Sequence, residues 1–347
     1  MSQSQISTSI SPALLERLRA MPKAEIHLHV EGATDPETFY QIARRNQVGL
    51  PAGTLAKWRD FFEFRDFSHF IKVYQTAVGC LQTPEDYALL IENFYKRQAE
   101  QSILYTEAFL SASFLTEKFE DEAILNAIER GAGAGKRKYG VQVNFIPDIS
   151  RENPASQGKV LELVLKGKER GLFIGLGLGG MEVGYPPALF TETFAKARRR
   201  GLRVVVHAGE AAGAESIWGA INDLQAERIG HGIRCLEEPK LVEHLRDTKL
   251  PLEVSPQSNY RLGIVSNAQP HPIRRMVDAG LYCTVNSDDP AMFSTNLINE
   301  YVTLASQGFV WEELWRLNLN TLEAAFLDKV EKARYLSQWE QFWQAQT

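Results

Sequence analysis

An alternation of two element types along the chain restricts the fold more than any other feature. Short β-rich runs recur at residues 24–30, 103–110, 141–149, 172–178, 203–207, 227–230, 250–254 and 282–286. Several are near-continuously apolar, as parallel strands covered on both faces are. Helical patterns separate them. Thr83-Pro84-Glu85-Asp86 opens one, with a Thr cap, Pro at the first helical position and acids in the first turn. Arg198-Arg199-Arg200-Gly201 closes another, with cations in the last turn and glycine after it. Eight strands alternating with helices predict an α/β chain folded as a (β/α)8 TIM-type barrel. Such a barrel needs about 250 residues, and the chain has 347. The surplus falls in residues 34–102, read as extra helices inserted after strand one, and in a helical C-terminal tail from Thr295. No Pro/Ser/Gly-rich linker divides the chain, so residues 12–347 read as one domain. Residues 1–11, rich in Ser, Gln and Thr, read as a disordered tail.

The chain has seven histidines. Four of them, His27, His29, His207 and His231, fall at or near the C-terminal ends of predicted strands. In a (β/α)8 barrel that end carries the active site. His27 and His29 are two apart on one strand and so face the same side. A bare His-x-His pair is as readily two core or surface histidines as two ligands. Asp288-Asp289 follows strand eight and alone reads as a turn and helix cap. If buried, the pair needs cations or hydrogen bonds to offset its repulsion. Together His27, His29, His207 and Asp288 offer three nitrogens and one oxygen from three strand ends. That donor set suits one Zn2+ with a position left for water. Glu210, just past His207, is a candidate proton donor if burial raises its pKa, or else a helix N-terminal acid. His231, between Gly230 and Gly232, is either a satisfied structural histidine or a partner for the attacking water.

Charge and cysteine content narrow the class. Net charge is 38 − 43 = −5, whereas a nucleic-acid binder needs a basic surface to neutralise phosphates. Cys80, Cys235 and Cys283 are widely spaced, which fits reduced thiols in a cytoplasmic protein. They also lack the Pro-Cys-x-x-Cys signature of the zinc cytidine deaminases. No apolar run reaches the roughly 18–20 residues of a membrane span. The N-terminus has neither the basic nor the apolar region of a signal peptide.

The segments PKAEIHLHVEG, HAGE, RIGHG, SPQSN and NSDDP occur in an order and spacing that resemble the adenosine deaminase family of the amidohydrolase superfamily. The resemblance runs from Pro22 to about Phe326. It implies a zinc-dependent hydrolytic deaminase acting at C6 of a small 6-aminopurine. His27, His29, His207 and Asp288 match zinc ligands, of which Asp288 also counts as catalytic and His29 as bordering the substrate. Glu210 matches the acid that protonates N1, and His231 the residue that orients and deprotonates the water. Asp289 matches the carboxylate on N7, and Gly180 the backbone position that contacts N3. Two-metal relatives often carry a bridging Lys at the end of strand four. LFIGLGLGG has none, so one Zn2+ per chain is expected.

The resemblance is less explicit about substrate. Adenosine deaminases proper commonly carry Asp in an HxHxD pattern, on the sugar 5′-hydroxyl; here that residue is Glu31. Adenine deaminases also carry Glu there, but usually have Asp-Ser-Ser-Glu after strand four. This chain has a Gly179-Gly180 pair, as in the nucleoside branch. Its GGxExGxPP pattern is similar to enzymes acting on 6-aminodeoxyfutalosine, an adenosine with an extended 5′ substituent. Glu31 and the aromatic group Trp58, Phe61, Phe62, Phe64 and Phe67 suit a modified 5′ side, although those aromatics also read as helix packing. The expected substrate is a 6-aminopurine nucleoside. The alternatives are 6-aminodeoxyfutalosine and free adenine.

Overall fold

The computed structural model describes residues 10–346. Eight strands follow one another round a ring in chain order: β1 (Lys23–Glu25), β2 (Ile103–Leu110), β3 (Gln142–Ser150), β4 (Gly175–Gly179), β5 (Arg203–Ala208), β6 (Arg228–His231), β7 (Leu252–Val254) and β8 (Cys283–Val285). Each pairs in parallel with the next. The ring closes where the His29 amide donates to the Asp288 carbonyl at 2.8 Å and the Asp288 amide to that of His27 at 3.2 Å. The expected (β/α)8 barrel is therefore the fold.

Strand one departs from expectation. Its regular ladder ends at Glu25, and beyond it Leu28 and His29 make only isolated bridges. The cause is local: the Ile26 amide donates to the Asn286 side chain at 3.0 Å, so a side-chain oxygen replaces a ladder carbonyl. Strand four also begins late, at Gly175 rather than residue 172.

The helix signals act as read. The Thr83 hydroxyl accepts from the Asp86 amide, and the Asp86 carboxylate accepts from the Thr83 amide, capping Pro84–Glu100 from both sides. Four helices fill the insertion after strand one: Pro36–Arg45, Leu55–Phe61, Phe67–Val78 and Pro84–Glu100. Leu297–Ser306, Trp311–Ala324 and Lys329–Gln346 form the C-terminal part. Of the tail expected over residues 1–11, residues 1–9 lie outside the described residues. Ser11 is ordered: its hydroxyl caps the first helix by accepting from the Leu14 amide at 3.2 Å. Among the described residues, no helix is long and apolar enough to cross a membrane.

Alternate residues of each strand point into the barrel. There Phe109, Ile146 and Val205 form a buried apolar plug, separate from the larger core between strands and helices. A charged network also runs through the interior. Arg228 meets Glu107 at 2.5 Å and Glu253 at 2.5 Å, with all three side chains buried. Glu107 also accepts from the Tyr105 hydroxyl at 2.7 Å and the Phe326 amide at 2.6 Å. Removing one partner from such a network strands the others without water, a cost of about 3–5 kcal/mol. Arg228→Met is expected to destabilise the fold by that amount in denaturant melts. A loss under about 1 kcal/mol would contradict the ion network's role.

Candidate active site

The barrel's C-terminal end gathers the histidines because strand alternation carries Val205 into the plug and His207, two residues on, into the mouth above it. His27, His29, His207 and Asp288 each bring one ligand atom, and these atoms lie within 4.8 Å of one another. All four residues are buried. His27 Nδ1 lies 2.7 Å from Glu253 Oε2 and donates to it, which turns Nε2 toward Asp288 Oδ1 at 3.4 Å. That Nε2 has no hydrogen-bond partner among the described residues. His207 Nδ1 donates to the Leu178 carbonyl at 3.0 Å, leaving its Nε2 3.2 Å from His29 Nε2. Three imidazole nitrogens and a carboxylate oxygen thus converge, with the His27 and His207 rings held from behind. This fits a divalent cation of the zinc type, whose histidine ligands are oriented in this way by outer partners.

Burial opposes charge on His27, but the Asp288 and Glu253 carboxylates outweigh it and push its pKa up to about 9. Burial pushes His29 down to about 4. For Asp288 burial favours the neutral acid, but His27 and the neighbouring imidazoles hold it well below the usual carboxylate range.

The remaining predicted residues surround this cluster. His231 Nε2 lies 3.6 Å from Glu210 Oε2. Burial pushes His231 down to about 3, so its imidazole is neutral. Burial, then the charges of Asp288 and Glu182, raises the Glu210 carboxyl well above its usual range. Asp289 is raised in the same way, by burial and then by Asp288. Its Oδ1 has no hydrogen-bond partner among the described residues. Two residues of the site hold left-handed backbone: His231 has φ +61° and Asp288 φ +64°. Non-glycine residues in that region cost about 1–3 kcal/mol and persist only where the surroundings enforce them. Gly230 is required by contact, since a Cβ there would stand 2.6 Å from His27 Cε1.

A pocket opens over the cluster. Its lining includes His29, Gly180, His207, Glu210, His231, Asp288 and Asp289, together with Tyr74, Ser111, Asp148 and Glu152. Glu31, expected on the sugar side, stands one layer behind that lining. It is fully buried, accepts from the Ser111 amide at 3.0 Å and the Tyr74 hydroxyl at 3.4 Å, and is raised by burial to about 7. Tyr74 and Ser111, joined by a 2.7 Å hydrogen bond, face the cavity in its place. Of the expected aromatic group, only Phe67 lines the cavity. Trp58 stacks on Phe61 and meets Phe62 edge-on, and Phe64 packs on Phe70 and Phe293, so those four are packing residues.

Several residues here were not singled out from the sequence. Glu253 sets the His27 tautomer, Ser258 donates to Asp288 Oδ2 at 2.6 Å, and Asp148 lies 3.7 Å from His29 Nδ1. A charged residue inside an otherwise apolar strand, as in LPLEV, is the available signal for Glu253.

Imidazoles and carboxylates converging at the carboxyl ends of barrel strands, with a protonated acid and a neutral histidine beside them, define a hydrolase of the amidohydrolase type. The comparisons specify it further. The profile of the family described as adenosine deaminase matches residues 22–341, and the chain belongs to that family. An aminodeoxyfutalosine deaminase from Streptomyces avermitilis is 38% identical over 322 residues, 91% of this chain and 90% of that one. An adenine deaminase from Acinetobacter baylyi is 35% identical over 329 residues, 93% and 98% of the two chains. The crystal structure of an adenine deaminase from Arthrobacter aurescens matches with a TM-score of 0.88 at 31% identity, covering 94% of this chain and all of the other. The protein is a deaminase, a hydrolase acting on C–N bonds.

Proposed function

We propose that the protein hydrolyses the C6–NH2 bond of a 6-aminopurine nucleoside, releasing ammonia and the 6-oxopurine. The observation that carries the nucleoside reading is the set of polar groups that share the pocket with the residues assigned to the purine. Ser111, Tyr74, Gln75, Ser150 and Glu152 also line it. These are hydrogen-bonding groups that sugar hydroxyls would engage and that a free base, lacking hydroxyls, would not match. Among the described residues no Lys or Arg lines it, which disfavours a phosphorylated substrate.

One Zn2+ held by His27, His29, His207 and Asp288 would supply Lewis-acid activation of the water that attacks C6. Glu210, kept protonated by burial, gives its proton to N1, so that attack does not build a ring anion. His231, neutral and buried, takes a proton from the attacking water, and that proton passes to the amino group as the C6–N bond breaks and ammonia leaves. Asp289, also protonated, donates to N7. The Gly180 backbone, at φ +87°, borders N3.

A second reading, 6-aminodeoxyfutalosine, is favoured by the apolar lining of Phe67, Phe70, Ile71, Phe114 and Leu262, which would receive an extended 5′ substituent. Ammonia release from adenosine, 2′-deoxyadenosine, 5′-methylthioadenosine, 6-aminodeoxyfutalosine and adenine is the test. Turnover of nucleosides with adenine far slower is expected. Turnover of adenine alone would overturn the nucleoside reading, and a preference for 6-aminodeoxyfutalosine would establish the second.

A further inference from the structure

Glu182 takes no part in the chemistry above, yet its carboxylate is among the most densely bonded groups in the molecule. It lies three residues past β4 and is 4% exposed. Its Oε1 accepts from the amides of Glu210 at 2.9 Å, Ala211 at 2.8 Å and Ala212 at 3.4 Å. Its Oε2 accepts from the Gly209 amide at 2.8 Å and the Ser216 hydroxyl at 2.6 Å. Successive amides turned onto one anion form a nest, and without the anion they would be buried and unpaired. Glu210 Oε1, by contrast, has no hydrogen-bond partner among the described residues. Apart from the His231 contact at its other oxygen, the Glu210 side chain is placed by the backbone that carries it.

A second tether joins the same two loops. Arg151 donates to the Tyr185 carbonyl at 2.6 Å, in the loop after β4, and to the His207 carbonyl at 2.6 Å, at the end of β5. Gly180 begins the first loop and Glu210 sits on the second. In the reading above they meet N3 and N1 of one purine.

We infer that Glu182 is a positioning residue for deamination: it clamps the loop after β5 to the loop after β4, so that Glu210 and Gly180 are held in register on the purine. The inference rests on the reading of Glu210 as the acid. Glu182→Gln keeps one acceptor oxygen but presents an amide to two of the donors, so the loop is held at one end only. Misplacing a reacting group by about 1 Å can cost 10²-fold. Expected for Glu182→Gln are unchanged metal content, KM within about 3-fold, and kcat lower by about 10- to 100-fold.

The decisive readout is a double-mutant cycle with Glu210→Gln, using kcat on the best substrate of the panel above. If Glu182 acts through Glu210, adding Glu182→Gln to Glu210→Gln lowers kcat no further. Multiplying effects, or metal loss in Glu182→Gln, would overturn the inference. Near-normal kcat in Glu210→Gln alone would instead remove Glu210 as the acid, a separate failure. If Glu182→Gln does not fold, Ser216→Ala removes one donor to the same carboxylate and is read in the same cycle. A smaller fall in kcat, absent from the Glu210→Gln background, is then expected; unchanged kcat would overturn the clamp.

Discussion

Asp288→Asn is expected to yield a folded protein that has lost its metal and turns over at least about 10³-fold more slowly. The substitution removes the negative charge that three imidazoles share, and a neutral amide is a poor ligand for a divalent cation. The fold should survive for two reasons. Asn tolerates the left-handed backbone that Asp288 adopts at φ +64°. Its amide oxygen can also still accept from the Ser258 hydroxyl, now 2.6 Å from Oδ2. Asp289 is the control next door. Asp289→Ala is expected to keep the metal and raise KM by about 10-fold or more, the cost of one buried hydrogen bond to the ring. Elemental analysis and steady-state kinetics on both variants make the comparison. Equal metal content with equal kinetics would show that the two carboxylates are not divided in this way.

Glu210→Gln is expected to bind metal and substrate normally and to lose kcat by about 10²- to 10⁴-fold, the worth of a placed general acid. The amide nearly matches the carboxyl in shape but has no acidic proton to deliver. The pH profile carries a second signature. Burial and the neighbouring carboxylates raise the Glu210 pKa well above its usual range. The active, protonated form is therefore present at neutral pH and is lost as pH rises through the raised pKa. The parent enzyme should show a falling alkaline limb in kcat that the variant lacks. An unchanged limb in Glu210→Gln would assign that proton to another group.

Much of the site was legible because its main groups obey local rules. His27 and His29 share a face through the two-residue period of extended chain, and HAGE and NSDDP place a ligand and a second acid within one turn. The barrel was legible for the same reason: eight apolar runs separated by capped helices allow few other closures. The partners of those groups obey no local rule. Glu253 holds His27 across 226 residues of sequence, and Ser111 bonds Glu31 across 80. Glu31 was assigned to the sugar side from its place in a motif. Its distance from the cavity depends on Tyr74, which comes from a helix in the insertion and stands between them.

The sequence alone thus carried the alternation of strands and helices and the residues able to bind a metal, and it offered Glu210 and His231 as candidates for acid and base beside them. Tertiary structure decided how the His27 and His207 rings are turned, which carboxyl groups are buried and so raised in pKa, which aromatics face the cavity, and what pins the Glu210 loop. Those properties arise from burial and from pairs brought together only when the ring closes between His29 and Asp288. Desolvation and hydrogen bonding act over a few ångströms of space, whatever the distance along the chain.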